Sequence, residues 1–209
     1  PAADADASPP PRYVSSSPHA PHAWWKQLHA IERARSARDA PVDFLGCHAL
    51  GERADGGPAF RFQTLLALVL SARTRDEAVA LAMQRLRALS IAADPACAPG
   101  AAGMRGQFCA AGVTAAPPAL LRKALDGVTF AAVKAERVQR MAQTLLEEHG
   151  GDVPREYKQL LALPGVGPKV AHLALQVGYD ETRGIATDTH VHRIAARLGW
   201  TSGAKTAEA

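Results

Sequence analysis

The chain has 209 residues and a mass of 22.0 kDa; 47% of its residues are hydrophobic and 21% are charged. That length accommodates one domain or two small lobes, and the composition excludes a wholly disordered chain. The net charge of +4 is compatible with nucleic-acid binding but does not by itself indicate it, and no run of 18 apolar residues predicts a membrane span.

The residue content favours an all-α fold in a reducing compartment. The chain has 44 alanines and 11 aromatic residues, a balance that favours helices over a β-sandwich. Its three cysteines, Cys47, Cys97 and Cys109, are widely spaced and match neither a disulfide framework nor a CxxC metal site.

The first sixty residues are weakly patterned. Residues 1–23 are dominated by Pro, Ala and Ser without periodicity, which predicts a disordered tail. A short helix is predicted over 24–37, and residues 46–59 are Gly-rich and irregular.

Two helices are then predicted to meet at a tight link. The first carries apolar residues at helical spacing, namely Phe62, Leu65, Leu66 and Val69. It ends near Ser71, and Thr74 to Glu77 have the form of a capping box that would begin the second helix. Residues 90–118 are low-complexity Ala, Gly and Pro, which predicts an exposed insertion.

The second half of the chain predicts four more helices. One covers about 133–149 and ends at two glycines, and Asp152 is positioned to cap the next. A glycine-punctuated loop then precedes a helix that begins at Pro168. The last helix follows Asp188, and no segment predicts a strand.

The loop before Pro168 has the character of a phosphate-binding hairpin. Gly165 and Gly167 can adopt positive φ, and together with Val166 they present backbone N–H groups at the N-terminus of a helix, where an anion is favoured. A lone GxG would be read as a helix–turn–helix corner without a ligand. The order Leu-Pro-Gly-Val-Gly between two amphipathic helices instead predicts a helix-hairpin-helix motif, which binds the DNA backbone and not the bases.

Lys169 directly follows the hairpin, in a first helical turn where the macrodipole disfavours cations. A residue that breaks a local rule in this way tends to mark function. The dipole and partial burial would lower its pKa, and the amine could then form a Schiff base. Taken alone, Lys169 would be read as a simple phosphate contact.

Asp188 has both a structural and a chemical interpretation. It is a strong helix N-cap, and its carboxylate could also accept a proton and stabilise positive charge on a sugar. His190 and His192 cannot share one metal ion, because residues two apart on a helix point about 200° apart. Asp188 and His192 could do so, but nothing supplies further ligands, so no metal site is predicted.

The segment LPGVGPKVA, followed nineteen residues after its lysine by DTHVHRIAARLGW, closely resembles the endonuclease III family of base-excision DNA glycosylases. The match resembles the eukaryotic members more closely, because their segment also carries a His-x-His pair after the Asp. Residues 60–90 and 128–200 fit the family, whereas the tail and the 90–118 insertion do not.

The resemblance implies an all-α protein with the helix-hairpin-helix DNA glycosylase fold. Residues 59–182 would form a six-helix barrel that contains the hairpin and the 90–118 insertion. Residues 24–58 would belong to the N-terminal part of a second lobe, and residues 183–209 would begin its C-terminal part. DNA would lie across the cleft between the two lobes.

The resemblance also implies a bifunctional DNA glycosylase and AP lyase that removes oxidised pyrimidines. Lys169 would attack C1′ of a flipped nucleotide, expel the base and cut the strand 3′ to the abasic site by β-elimination. Asp188 would assist base departure and proton transfer.

Further DNA contacts follow from the same resemblance. Arg73 and Thr74, in the link between two helices, would enter the groove near the vacated space. Phe130 falls where the family carries an apolar wedge, and His190 belongs to the His-x-His pair. Family members usually have Gln at the position of Arg73. Arg is longer and charged, so the family's contacts to the partner base are not carried over to this chain.

Many members hold a [4Fe–4S] cluster with four cysteines near the C-terminus. This chain stops at Ala209, before that region, and its own cysteines do not match the pattern. We therefore expect a C-terminally truncated chain without a cofactor, and a cluster only in a longer form.

The expected partner is double-stranded DNA that contains damaged pyrimidines or abasic sites. We expect a monomer with no membrane partner, located in the nucleus or the mitochondrion if the source is eukaryotic. The lesion preference stays open, because residues scattered through the fold build the base pocket.

Two alternative functions are compatible with parts of this pattern. Monofunctional glycosylases of the superfamily lack the nucleophilic lysine, so Lys169 argues against the first. The second is a non-catalytic helix-hairpin-helix fragment that only binds DNA, and the pairing of Lys169 with Asp188 argues against it.

Overall fold

The computed structural model describes residues 24–52, 57–93, 108–201 and 206, and every regular element in those ranges is a helix. This confirms the predicted all-α fold. The helices are α1 (Trp24–Ala34), α2 (Pro41–Leu45), α3 (Pro58–Ser71), α4 (Asp76–Ala93), α5 (Ala110–Ala115), α6 (Pro118–Ala124), α7 (Ala131–His149), α8 (Tyr157–Ala162), α9 (Pro168–Tyr179) and α10 (Thr189–Arg197). Among these ten, none has the length and apolarity needed to cross a membrane.

The chain divides into two compact units. Unit 1 comprises residues 1–39 and 187–209, and unit 2 comprises residues 40–186. The boundaries differ from the predicted ones mainly at α2, which packs against α4 and therefore belongs with the barrel helices. The predicted tail, residues 1–23, lies outside the described residues.

Unit 2 is built around α3. The predicted apolar stripe of this helix is fully confirmed as buried, and most of its other residues are buried too. Helices α4, α7 and α9 pack against α3. A helix that is apolar nearly all round belongs in a core, and each buried Leu or Phe stabilises the fold by about 1.5–3 kcal/mol.

The prediction of an exposed insertion over 90–118 is wrong for its last part. Phe108 is completely buried, and its ring meets that of Phe62 edge-on at 5.9 Å between centroids. The buried Gln63 amide also donates to the Phe108 carbonyl at 3.0 Å. Helix α5 follows and packs on α4 and α7, so 108–116 is part of the core. Residues 94–107 lie outside the described part of the chain.

Two predicted helix caps are also wrong, because their side chains bind elsewhere. Helix α4 begins at Asp76, two residues after Thr74, and the Thr74 hydroxyl bonds to groups outside that helix. Asp152 accepts two hydrogen bonds from the Arg61 guanidinium, at 2.8 and 2.6 Å. Helix α8 starts only at Tyr157.

Unit 1 contains α1 and α10, and a glutamine joins them. The Gln27 amide donates to the Leu198 carbonyl at 3.2 Å and accepts from the indole N–H of Trp200. Neither helix has a buried residue, and the apolar side chains of Val191 and Ile194 on α10 are exposed.

Candidate active site

The predicted hairpin forms between α8 and α9. Gly165 has φ +86°, which is unfavourable for other residues, and a Cβ there would lie 3.3 Å from a methyl of Val69 on α3. Val166 is buried and closes the turn by donating from its N–H to the Leu163 carbonyl at 3.1 Å. Its side chain thus anchors the hairpin on the core while the glycines on either side are not buried.

The two glycines of the hairpin have different roles. Gly167 has φ −107° and ψ −179°, so the expectation that it uses positive φ is wrong. It is the N-cap residue of α9, and apart from its own neighbours in the chain no atom lies within 4 Å of where its Cβ would be. This open space leaves the backbone at the start of a twelve-residue helix accessible to an anion.

Gly165→Ala should therefore cost more than Gly167→Ala. An alanine in the left-handed region lowers the free energy of unfolding by about 1–2 kcal/mol, and the close contact of its Cβ with Val69 lowers it further. At Gly167 the extended backbone and the open space accept a methyl group. Thermal unfolding of both variants tests this, and equal losses would contradict the assignment of strain to Gly165.

Lys169 is the second residue of α9 and is exposed. The predicted partial burial is wrong, because α9 turns Ala171, Ala174 and Leu175 toward the core and Lys169 away from it. Its charge still acts within the unit: burial raises the pKa of the Cys47 thiol, and the Lys169 ammonium partly opposes that rise. The amine therefore lies at the surface beside the hairpin.

The turn between α3 and α4 carries Arg73 and Thr74. Arg73 is exposed and has φ +55°, an unusual conformation for a residue with a side chain. Thr74 is half-buried, and its N–H donates to the Ser71 carbonyl at 3.0 Å.

Phe130 lies in a second turn, immediately before α7. It has φ +60°, and 61% of it is exposed, although large apolar side chains usually avoid water. The structure brings this turn next to the first one, because the N–H of Thr129 donates to the Thr74 hydroxyl oxygen at 3.3 Å.

Sequence reasoning missed two basic residues of α7, one that bonds to the first of these turns and one beside the hairpin. Lys134 is buried and donates to the turn that holds Arg73. The sequence did contain a signal for Lys134, because it lies at helical spacing from Val138 and Met141. A lysine on such an inward face needs hydrogen-bond acceptors. Arg137 is exposed, and its Cδ lies 3.6 Å from where a Cβ on Gly165 would be.

Asp188 is confirmed as the N-cap of α10. Its carboxylate accepts hydrogen bonds from the N–H groups of His190 and Val191, both at 2.9 Å. His190 is exposed, with a ring nitrogen 3.2 Å from the Arg193 guanidinium. Asp188 belongs to unit 1, whereas Lys169 and the hairpin belong to unit 2.

The described residues do not fit a metal cluster. Within 24–52, 57–93, 108–201 and 206, no group of three or more His, Cys, Asp or Glu side chains could hold a metal ion. Cys47 is directed at the Ala67 carbonyl, Cys109 is buried in the core, and Cys97 lies outside the described ranges.

The sequence matches one protein family over residues 66–209, described as HhH-GPD superfamily base excision DNA repair protein. The chain belongs to the HhH-GPD superfamily. Similar proteins include Endonuclease III-like protein 1 of Bos taurus, 38% identical over 184 residues, and the Endonuclease III homolog of Schizosaccharomyces pombe, 35% identical over 180. These alignments cover 88% and 86% of this chain but 55% and 46% of the relatives, so the chain spans about half their length.

Solved structures of HhH-GPD type share the fold. A trapped Endonuclease III–DNA covalent intermediate aligns with a TM-score of 0.59 at 25% identity, over 85% of this chain and 70% of that one. A thermostable thymine-DNA glycosylase aligns with a TM-score of 0.52 at 17% identity, over 79% and 68%, which shows the fold alone. The resemblance to the endonuclease III family and the helix-hairpin-helix glycosylase fold are thus both confirmed.

Proposed function

We propose that this chain carries the DNA glycosylase and AP lyase activity of base excision repair, acting on oxidised pyrimidines in double-stranded DNA. The observation that carries the proposal is the position of Lys169: an exposed amine on the second residue of α9, directly after a hairpin suited to bind phosphate. The similarity to an Endonuclease III that was trapped covalently on DNA supports a nucleophile in this fold.

The proposed chemistry needs one amine and one proton acceptor. The neutral Nζ of Lys169 attacks C1′ of the damaged nucleotide, the glycosidic C1′–N bond breaks, and the base departs with a proton. The sugar ring then opens: the C1′–O4′ bond breaks, O4′ takes a proton, and C1′ and Nζ form a protonated Schiff base. That Schiff base acidifies C2′; loss of a C2′ proton then breaks the C3′–O bond, with the 3′ phosphate as the leaving group, and cuts the strand 3′ to the site. Asp188 assists by stabilising positive charge on the sugar and by accepting a proton.

The DNA contacts in the proposal are distributed over the two turns and the hairpin. The backbone of Gly165 to Gly167 binds phosphate, Arg73 and Thr74 enter the groove, and Phe130 fills the space left by the extruded base. His190, exposed on α10, adds a contact to the backbone. We assign the protein to a DNA-containing compartment, the nucleus or the mitochondrion, and to action as a monomer.

Borohydride trapping on a duplex with a single abasic site tests the proposal. A covalent protein–DNA band together with a product cut 3′ to the site supports it. Binding without an adduct or cleavage would instead support the alternative, a helix-hairpin-helix segment that only holds DNA.

Arg137→Ala should weaken DNA binding in a salt-dependent way. The stem of Arg137 lies along the hairpin at Gly165, and its exposed charge can reach the same phosphate. Loss of one phosphate contact reduces the slope of log K against log salt by about 0.9. Fluorescence titrations at several salt concentrations measure that slope.

Arg155→Ala is the matched control for this titration. Arg155 is also exposed, but its guanidinium is already paired with Glu181. The same drop in slope for both variants would show that Arg137 acts only through net charge.

A further inference from the structure

Lys134 is a buried cation whose ammonium group makes three hydrogen bonds inside the protein. Only 5% of the residue is exposed, and its Nζ donates to the Leu70 carbonyl at 2.7 Å, the Ala72 carbonyl at 2.7 Å and the Thr74 hydroxyl at 3.0 Å. An ammonium group has three protons to donate, so each one has an acceptor. The two carbonyls lie at the C-terminal end of α3, where helical carbonyls lack partners and a cation is favoured.

These hydrogen bonds join three separate segments. Lys134 is on α7, Leu70 is in the last turn of α3, and Ala72 and Thr74 belong to the turn that leads to α4. The Thr74 oxygen also accepts from the N–H of Thr129, at 3.3 Å, in the turn that precedes α7. One ammonium and one hydroxyl thus connect the turn that carries Arg73 with the turn that carries Phe130.

Both turns hold an exposed side chain in a strained conformation. Arg73 has φ +55° and Phe130 has φ +60°, each with a cost of about 1–3 kcal/mol for a non-glycine residue. Such residues persist only where the surrounding structure over-determines them. The hydrogen bonds of Lys134 and Thr74 supply that constraint, since they hold the Ala72 carbonyl before Arg73, the Thr74 side chain after it and the Thr129 N–H next to Phe130.

We propose that Lys134 is a positioning residue that holds Arg73 and Phe130 as one rigid surface for opening the base stack. The inference rests on the proposed function, because it assumes that this surface enters DNA. Two side chains on a rigid surface lose their conformational entropy when the protein folds. Their insertion into the base stack therefore does not have to order two flexible turns. A methionine at this position would fill the space but leave the three acceptors without their donor.

Lys134→Met separates positioning from chemistry when two substrates are compared. In a duplex with an abasic site, the enzyme must open the stack before Lys169 can reach C1′. In a single-stranded abasic oligonucleotide there is no stack to open. We expect the rate of borohydride trapping to fall on the order of 10²-fold on the duplex and to change little on the single strand.

The controls make the test decisive. Lys123→Met removes an exposed lysine from α6 and should trap normally on both substrates. Thr74→Val removes the shared hydroxyl and should give the same selective loss on the duplex, including where Lys134→Met does not fold. Equal losses on both substrates, or normal trapping on the duplex by a folded variant, would overturn the proposal. Absence of trapping by the unmodified protein on either substrate would overturn the proposed function instead.

Discussion

Replacing Lys169 with alanine should abolish strand cleavage at an abasic site while most of the DNA affinity remains. Cleavage needs the amine, because no Schiff base can form without it. In the proposed function, binding depends mainly on the backbone of the hairpin, and Gly165, Val166 and the N-cap Gly167 are untouched by the change. Gel assays of cleavage beside a binding titration measure the two effects separately.

Two further variants sharpen this experiment. Lys169→Gln keeps much of the side-chain length and should likewise give no adduct with borohydride. Lys158→Ala removes another exposed lysine of the same motif, on α8, and should still cleave. Normal nicking by a clean Lys169→Ala preparation would show that the nucleophile is another residue.

Asp188→Asn should slow the reaction on the order of 10²–10⁴-fold with little change in melting temperature. The carboxylate accepts from the N–H groups of His190 and Val191, and an asparagine oxygen can accept both hydrogen bonds. Asn and Asp are comparable N-caps, so the helix is retained while the negative charge is lost. Thermal melts and single-turnover rates on the same preparations separate stability from chemistry.

Asp180→Asn is the matched control for this charge removal. Asp180 is exposed at the end of α9 with φ +57°, a conformation that asparagine also tolerates, and its rate should match that of the unmodified protein. If Asp188→Asn also kept the full rate, only the capping role of Asp188 would remain.

The sequence alone predicted the features that depend on local spacing. The apolar stripe of α3 and the start of α9 at Pro168 both follow from helical periodicity and backbone preference, and the structure confirms each. The hairpin and the cap at Asp188 are equally local, because Gly165 needs a positive φ and the Asp188 carboxylate reaches N–H groups two and three residues away.

Only the tertiary structure decided what the polar side chains bind. Thr74 looked like a helix cap, yet its hydroxyl contacts Thr129 and Lys134, more than fifty residues away. Asp152 likewise bonds to Arg61, ninety-one residues earlier in the chain. A local pattern carries no information about partners that distant, and a paired carboxylate no longer caps the helix beside it.

Tertiary packing also decided which segments and side chains are buried. Residues 108–116 have an Ala- and Gly-rich sequence that predicted a surface insertion, but small residues also allow close packing, and Phe108 fills the core beside Phe62. Lys169 is exposed because α9 turns its opposite face to α3. Lys134 can be buried because α3 and the turn that follows it place three hydrogen-bond acceptors around its Nζ. The packing of α7 against α3 brings the Nζ and these acceptors together.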